Sequence, residues 1–194
     1  MRQGKILLLM CICAMLLCGC SMKFSAEENA LYVNKDGEIV SAIVESFDKE
    51  YYDAEELQGM LEQSIVEYNA ENGKDSIELD SFKLDNGVLK VIMNYLTWAD
   101  YSNFNEVQFF AGKLSDIQGK NYGKNLSFVS RDGSQTLTFG EIEGEYYVIL
   151  VEENIVVQTA GKIAYVSENV QVEGEKLARL KEDATGIGYI IYKK

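Results

Sequence analysis

Residues 77–96 read IELDSFKLDNGVLKVIMNYL, two strand-like runs on either side of Asp85-Asn86-Gly87, and this stretch decides the fold class. Gly87 supplies a residue that accepts positive φ at no steric cost, so the run from Ile77 to Leu84 is expected to turn back on the run from Val88 to Leu96 through a three-residue loop. The second run is apolar on both faces at Val88, Leu89, Val91, Ile92 and Met93. It therefore reads as a central strand, covered on one face by a helix and on the other by a further layer.

Upstream, Leu31 to Asn34 and Glu38 to Phe47 surround Lys35-Asp36-Gly37, which predicts another hairpin. Between the hairpins lies a helix over about 53–71. Asp53 with Glu56 three residues later has the spacing of a capping box, and Glu55 and Glu56 place negative charge at the positive end of the helix dipole. Leu57, Leu61, Ile65 and Tyr68 fall on one face with Met60 beside them, and Asn72-Gly73 is a stop signal. Further on, Asn105 and Gln108 could cap a helix carrying Val107, Phe110, Leu114 and Ile117, with Gly112 as a break inside it.

From Leu126 the signals are those of strands. Ser127–Ser130 and Thr136–Phe139 flank Arg131-Asp132-Gly133-Ser134, and Tyr146–Val151 and Ile155–Gln158 flank Glu152-Glu153-Asn154. Ile163–Val166, Val170–Val172 and Ile187–Tyr192 follow as a meander of short strands. No fixed repeat is visible. The expected class is α+β with a largely antiparallel sheet, in one domain over 30–194.

The first 19 residues are of another kind. Arg2 and Lys5 make a cationic start, Ile6 to Leu17 an apolar run, and Gly19 a small residue before Cys20. The run is shorter than the ~20 residues of a membrane span. Leu17-Cys18-Gly19-Cys20 resembles the lipobox of bacterial lipoproteins, apart from the unusual Cys18. The resemblance implies cleavage before Cys20, a diacylglyceryl thioether on its sulfur, a tether over 20–29, and a place on the outer face of the cell membrane.

All four cysteines lie at or before position 20, so a domain that long needs no disulfide. Loss of Arg2 and Lys5 with the leader would move the net charge from −13 to about −15. Nucleic acid is disfavoured as a partner, and so is attraction to anionic headgroups or wall polymers. With no histidine and no free cysteine in the exported part, Ser-His-Asp and Cys-His pairs and the usual zinc sets cannot be assembled. No cofactor or metal is expected.

Candidate binding residues are Trp98, Asp100 and Tyr101, which with Tyr95 and Phe104 could stack and hydrogen-bond a sugar ring or a peptide. The plainer reading is that they close one end of the core. Tyr51-Tyr52 reads as a staple at the start of the helix. Acidic residues are too many for sequence to single out a catalytic pair, so a carboxylate-dependent wall hydrolase ranks last. Asp132 and Glu152-Glu153-Asn154 lack the spacing of a calcium loop. Gly186-Ile187-Gly188 is no dinucleotide fingerprint, because Ile191 stands at its third glycine. Asn125-Leu126-Ser127 matches a glycosylation acceptor, a pattern common by chance.

Residues 46–52 (SFDKEYY) leading into Glu55-Glu56-Leu57, and later residues 100–105 (DYSNFN), are similar to uncharacterised membrane-anchored lipoproteins of clostridial-type Firmicutes. That likeness implies an address and no mechanism. A non-enzymatic domain that binds an envelope protein or glycan is the leading expectation.

Overall fold

The computed structural model describes residues 26–49, 51–118 and 126–194. The leader, Cys20 and most of the tether, together with Asn125, lie outside them. The elements run β1 (Ala30–Val33), β2 (Ile39–Ser46), α1 (Ala54–Asn72), β3 (Ile77–Asp85), β4 (Val88–Tyr95), α2 (Trp98–Phe104), β5 (Phe109–Lys113) and α3 (Ser115–Gln118). There follow β6 (Ser127–Ser130), β7 (Thr136–Thr138), a 3₁₀ turn (Phe139–Glu141), β8 (Tyr147–Val151), β9 (Val156–Thr159), β10 (Lys162–Ser167), β11 (Val170–Val172), β12 (Leu177–Leu180) and β13 (Gly188–Lys193). They form a seven-stranded sheet, β11-β12-β9-β1-β2-β4-β3, and a six-stranded sheet, β5-β8-β13-β10-β6-β7. Every pairing is antiparallel except β1 with β9. The class is α+β, as the sequence leads one to expect.

The main core lies between the sheets. Leu31, Ile39, Val91, Met93 and Tyr95 of the larger sheet share one cluster with Ile149, Val151, Ile190 and Tyr192 of the smaller. Leucines and isoleucines on the other face of the smaller sheet pack under α3 and the 3₁₀ turn, around Phe128, Phe139, Val148 and Ile191. A third, small group (Ala26, Ala30, Ala42, Ile92, Val156) lies on the opposite face of the larger sheet. Burying both faces of the smaller sheet explains its unbroken apolar runs, because alternation is seen only where one face meets water.

The 77–96 hairpin forms with Ile77 opposite Tyr95, but Asp85 pairs with Val88, so the loop is two residues and not three. Asn86 (φ 50°) and Gly87 (φ 76°) both take positive φ, the pattern whose twist matches the flanking strands. β4 lies between β2 and β3, with Leu89, Val91 and Met93 on the core face and Ile92 buried behind. Val88, at the tip, is exposed and does not join the covered set.

α1 is capped by Asp53, whose side chain accepts from the Glu55 and Glu56 amides. Ile65 is its buried residue, with Leu61 and Tyr68 packed against the core; Leu57 and Met60 are exposed, so the apolar stripe is narrower than its spacing suggests. The helix lies along edge strand β3, which covers only part of one face. Its far end is pinned where the Asn69 amide donates to the Ile77 carbonyl at 2.8 Å and accepts from the Ile77 amide at 2.9 Å.

The helix expected after Asn105 is not formed. Asn105 ends α2, its amide donating to the Tyr101 carbonyl, and residues 109–113 are strand β5 with Phe109 opposite Val151. Apolar residues on both faces of β5 mimic helical spacing, which is why the period misleads here. The late strands are no meander either: β8 is in the smaller sheet and β9 in the larger, so Glu152-Glu153-Asn154 crosses between layers. β12, with its Lys and Arg neighbours, carries too short an apolar pattern to read. At Ser130–Ser134 the hairpin turn is as expected, with Asp132 accepting from the Ser130 and Ser134 hydroxyls and the Ser134 amide. Those bonds hold its carboxyl at about 2.

Three core tyrosines, Tyr95, Tyr101 and Tyr192, have their ionisation pushed up, chiefly by burial. The native state thus keeps protons that the unfolded chain loses above about pH 10. Stability is constant below that pH on their account and falls as pH rises beyond it. Urea midpoints measured from pH 8 to 11.5 are expected to break downward near pH 10; a flat profile would contradict the burial of these rings.

Candidate functional site

α2 opens with Thr97, whose hydroxyl accepts from the Asp100 amide at 3.2 Å while Asp100 accepts from the Thr97 amide and hydroxyl at 3.0 and 2.6 Å. This reciprocal cap satisfies donors that a helix start otherwise leaves unmade. The other Asp100 oxygen accepts from the Tyr68 hydroxyl at 3.2 Å. Asp100 thereby ties the start of α2 to α1.

Trp98 and Tyr101 are one turn apart on α2 yet do not make one platform. Tyr101 is 4% exposed and meets Phe109 and Tyr95 edge-on at centroid distances of 4.9 and 5.1 Å. Trp98 is half-buried against Phe110 at 4.9 Å. Phe109 and Phe110 point to opposite faces of β5, so the two α2 rings straddle that strand. Phe104 packs edge-on against Tyr68 at 5.6 Å. The other aromatic pair is exposed: its rings meet each other at 4.9 Å, and Tyr52 meets Phe47, at the end of β2, at 4.7 Å, with no staple onto α1 among these contacts.

The polar end of Tyr101 does reach a cavity. Its hydroxyl donates to Glu153 Oε2 at 2.7 Å, across 52 residues of sequence. The cavity is about 100 Å³ and is lined by Asn29, Ser41, Tyr101, Asn105, Glu153 and Ile155. Asn105 donates to the Tyr95 hydroxyl at 3.2 Å, and Asn29 accepts from the Val44 amide at 2.7 Å and donates to Glu45. Ser41, 4% exposed, has a buried hydroxyl with no well-formed hydrogen bond among the described residues, and the Tyr95 hydroxyl is a polar neighbour. Such a lining suits a few waters or a small polar group. The volume is below the ~300–1,000 Å³ of most small-molecule sites.

Of these residues only Tyr101 is a binding candidate in the sequence. Asn105 reads there as a helix cap and Glu153 as part of a connection, and nothing local marks Ser41 or Asn29, because the fold joins a β2 residue, the end of α2 and an interlayer loop. Replacing Tyr101 by Phe is expected to cost about 2 kcal/mol, the usual worth of a hydrogen bond to a charged group. Urea unfolding checks this, and an unchanged midpoint would mean the bond to Glu153 is spent against water.

Among the described residues there is no group of three or more His, Cys, Asp or Glu placed to hold a metal ion, and no helix long and apolar enough to cross a membrane. Comparison with protein-family models, with curated proteins and with solved structures finds no match.

Proposed function

We propose that the chain is a lipid-anchored domain on the outer face of a bacterial cell membrane, which binds another envelope component and performs no chemistry of its own. The observation that carries this reading is the apolar leader closing on Leu17-Cys18-Gly19-Cys20, with the first strand starting only ten residues later at Ala30. Ten residues reach on the order of 30 Å fully extended, so the domain would stay close to the bilayer. Two acyl chains meet the requirement for stable anchoring that one chain does not.

The parts played by the candidate residues support a reading without chemistry at this site. Asp100 serves as a cap, Tyr101 is a core residue with a single polar contact, and the cavity beside it is small. Labelling intact cells with a membrane-impermeant amine reagent tests the placement. The chain is expected to react at its exposed lysines while a cytosolic marker does not; protection equal to that of the marker would contradict it.

A further inference from the structure

The two sheets are not in register at one side: the larger ends at β11, while the smaller continues past β10 to β6 and β7. The overhang leaves a groove of about 660 Å³, floored by Val129 and Val166 of the smaller sheet and Val170 and Val172 of β11, with Arg131 and Lys181 among its lining. Its size is that of a binding site.

The free edge of β11 faces this groove. Lys181 N donates to Asn169 O and Glu173 N to Leu177 O, so with the observed register the bonded pairs are Asn169 with Lys181, Gln171 with Arg179, and Glu173 with Leu177. In an antiparallel ladder the alternate residues point their amides and carbonyls the other way. Val170 and Val172 therefore present theirs outward, where a further strand would sit above Val129 and Val166. Of the other three edges, β3 has α1 packed against part of one face, β5 is flanked by α2 and α3, and the three-residue β7 carries exposed Thr136 and Thr138 and runs into the 3₁₀ turn. β11 is the edge with an apolar shelf beneath a vacant strand position.

We propose that this edge docks an extended peptide segment of a partner protein, apolar at alternate positions and carrying carboxylates near its ends, as an eighth strand of the larger sheet. Main-chain bonds to Val170 and Val172 would give affinity, and the valine shelf would select the apolar positions. Charge selects the ends. Within the lining, Arg131 and Lys181 stand against one carboxylate, Glu168; Glu175 lies near Arg131 outside the lining, and Asp132 is engaged by Ser130 and Ser134 in the turn, in a chain with 31 acidic and 18 basic residues. Lys181 also donates to the Glu168 carbonyl, which holds its ammonium at the groove's rim. A second copy of the chain is the poorer occupant, since each copy carries −13. The proposal rests on the reading of the chain as a binding domain, and not on lipid at Cys20.

The test is a titration of the full chain in detergent, by anisotropy, with a labelled pool of octapeptides. Valine, isoleucine or phenylalanine alternates with serine or threonine between terminal glutamates, and a second pool has terminal lysines. The glutamate pool is expected to bind at least tenfold tighter than the lysine pool and to slow amide exchange at Val170 and Val172. Arg131→Glu with Lys181→Glu, both exposed, should abolish that preference. Val172→Pro, which removes an outward amide and spares the β12 ladder, should weaken binding of the glutamate pool at least tenfold, with circular dichroism unchanged. Failure of the glutamate pool to bind, equal binding by all variants, or protection elsewhere overturns the proposal. A dimer that Val172→Pro dissociates, with no peptide bound, overturns it in favour of a second copy. Each of these readings is independent of whether the chain is anchored.

Discussion

Gly161→Ala is expected to destabilise the fold by about 3 kcal/mol or more, the upper range for forcing extra volume into a packed site. A Cβ at Gly161 would lie 1.6 Å from the Lys193 carbonyl oxygen, 2.5 Å from its carbon and 2.9 Å from the Lys194 Cα. All three are backbone atoms, so no side chain can turn aside. They cannot retreat cheaply either, because Lys162 and Lys193 are paired partners that bring β10 and β13 together, and the Thr159 hydroxyl holds the Gly161 carbonyl at 2.7 Å. Gly59→Ala makes the opposite control. Gly59 lies within α1 with nothing within 4 Å of its would-be Cβ, and alanine there should add about 1 kcal/mol through helix propensity. Urea denaturation of both variants reads the difference in sign. A Gly161→Ala protein as stable as the parent would mean that the closure of the β9–β10 turn on the last strand is misplaced.

Cys20→Ala is expected to have the largest effect on where the protein is found. If two acyl chains hold the domain, their loss removes the whole hydrophobic contribution, and even one chain is worth a binding constant of about 10⁴ M⁻¹. Charge offers no substitute, since a net −13 is repelled by anionic headgroups. Fractionation should then find the domain released, or held only as a larger precursor that keeps its leader. A variant processed to normal size and still tightly bound to membranes would refute the anchor.

Local chemistry made parts of this fold readable. Asn86-Gly87 can adopt paired positive φ whatever lies around it, and Asp53 caps α1 using amides two and three residues away. The elements that resisted reading depend on distant partners. β5 is a strand because β8 lies beside it, and β12 because β9 and β11 do. Periodicity fails where both faces are covered, as with Phe109 and Phe110, each with an aromatic neighbour on its own side. The candidate site divides in the same way. Asp100 and Thr97 are three residues apart and their bonds follow from the helix start, whereas the pairing of Tyr101 with Glu153 joins α2 to the crossing between sheets. Trp98 and Tyr101 are close in sequence, but a strand between their partners separates them.

Mass spectrometry of the mature amino terminus, on protein purified from its native membrane, tests the central claim most directly. The account predicts a chain that begins at Cys20 and carries the mass of a diacylglyceryl group on its sulfur. A chain that retains residues 1–19, or begins at an unmodified Cys20 thiol, would contradict it.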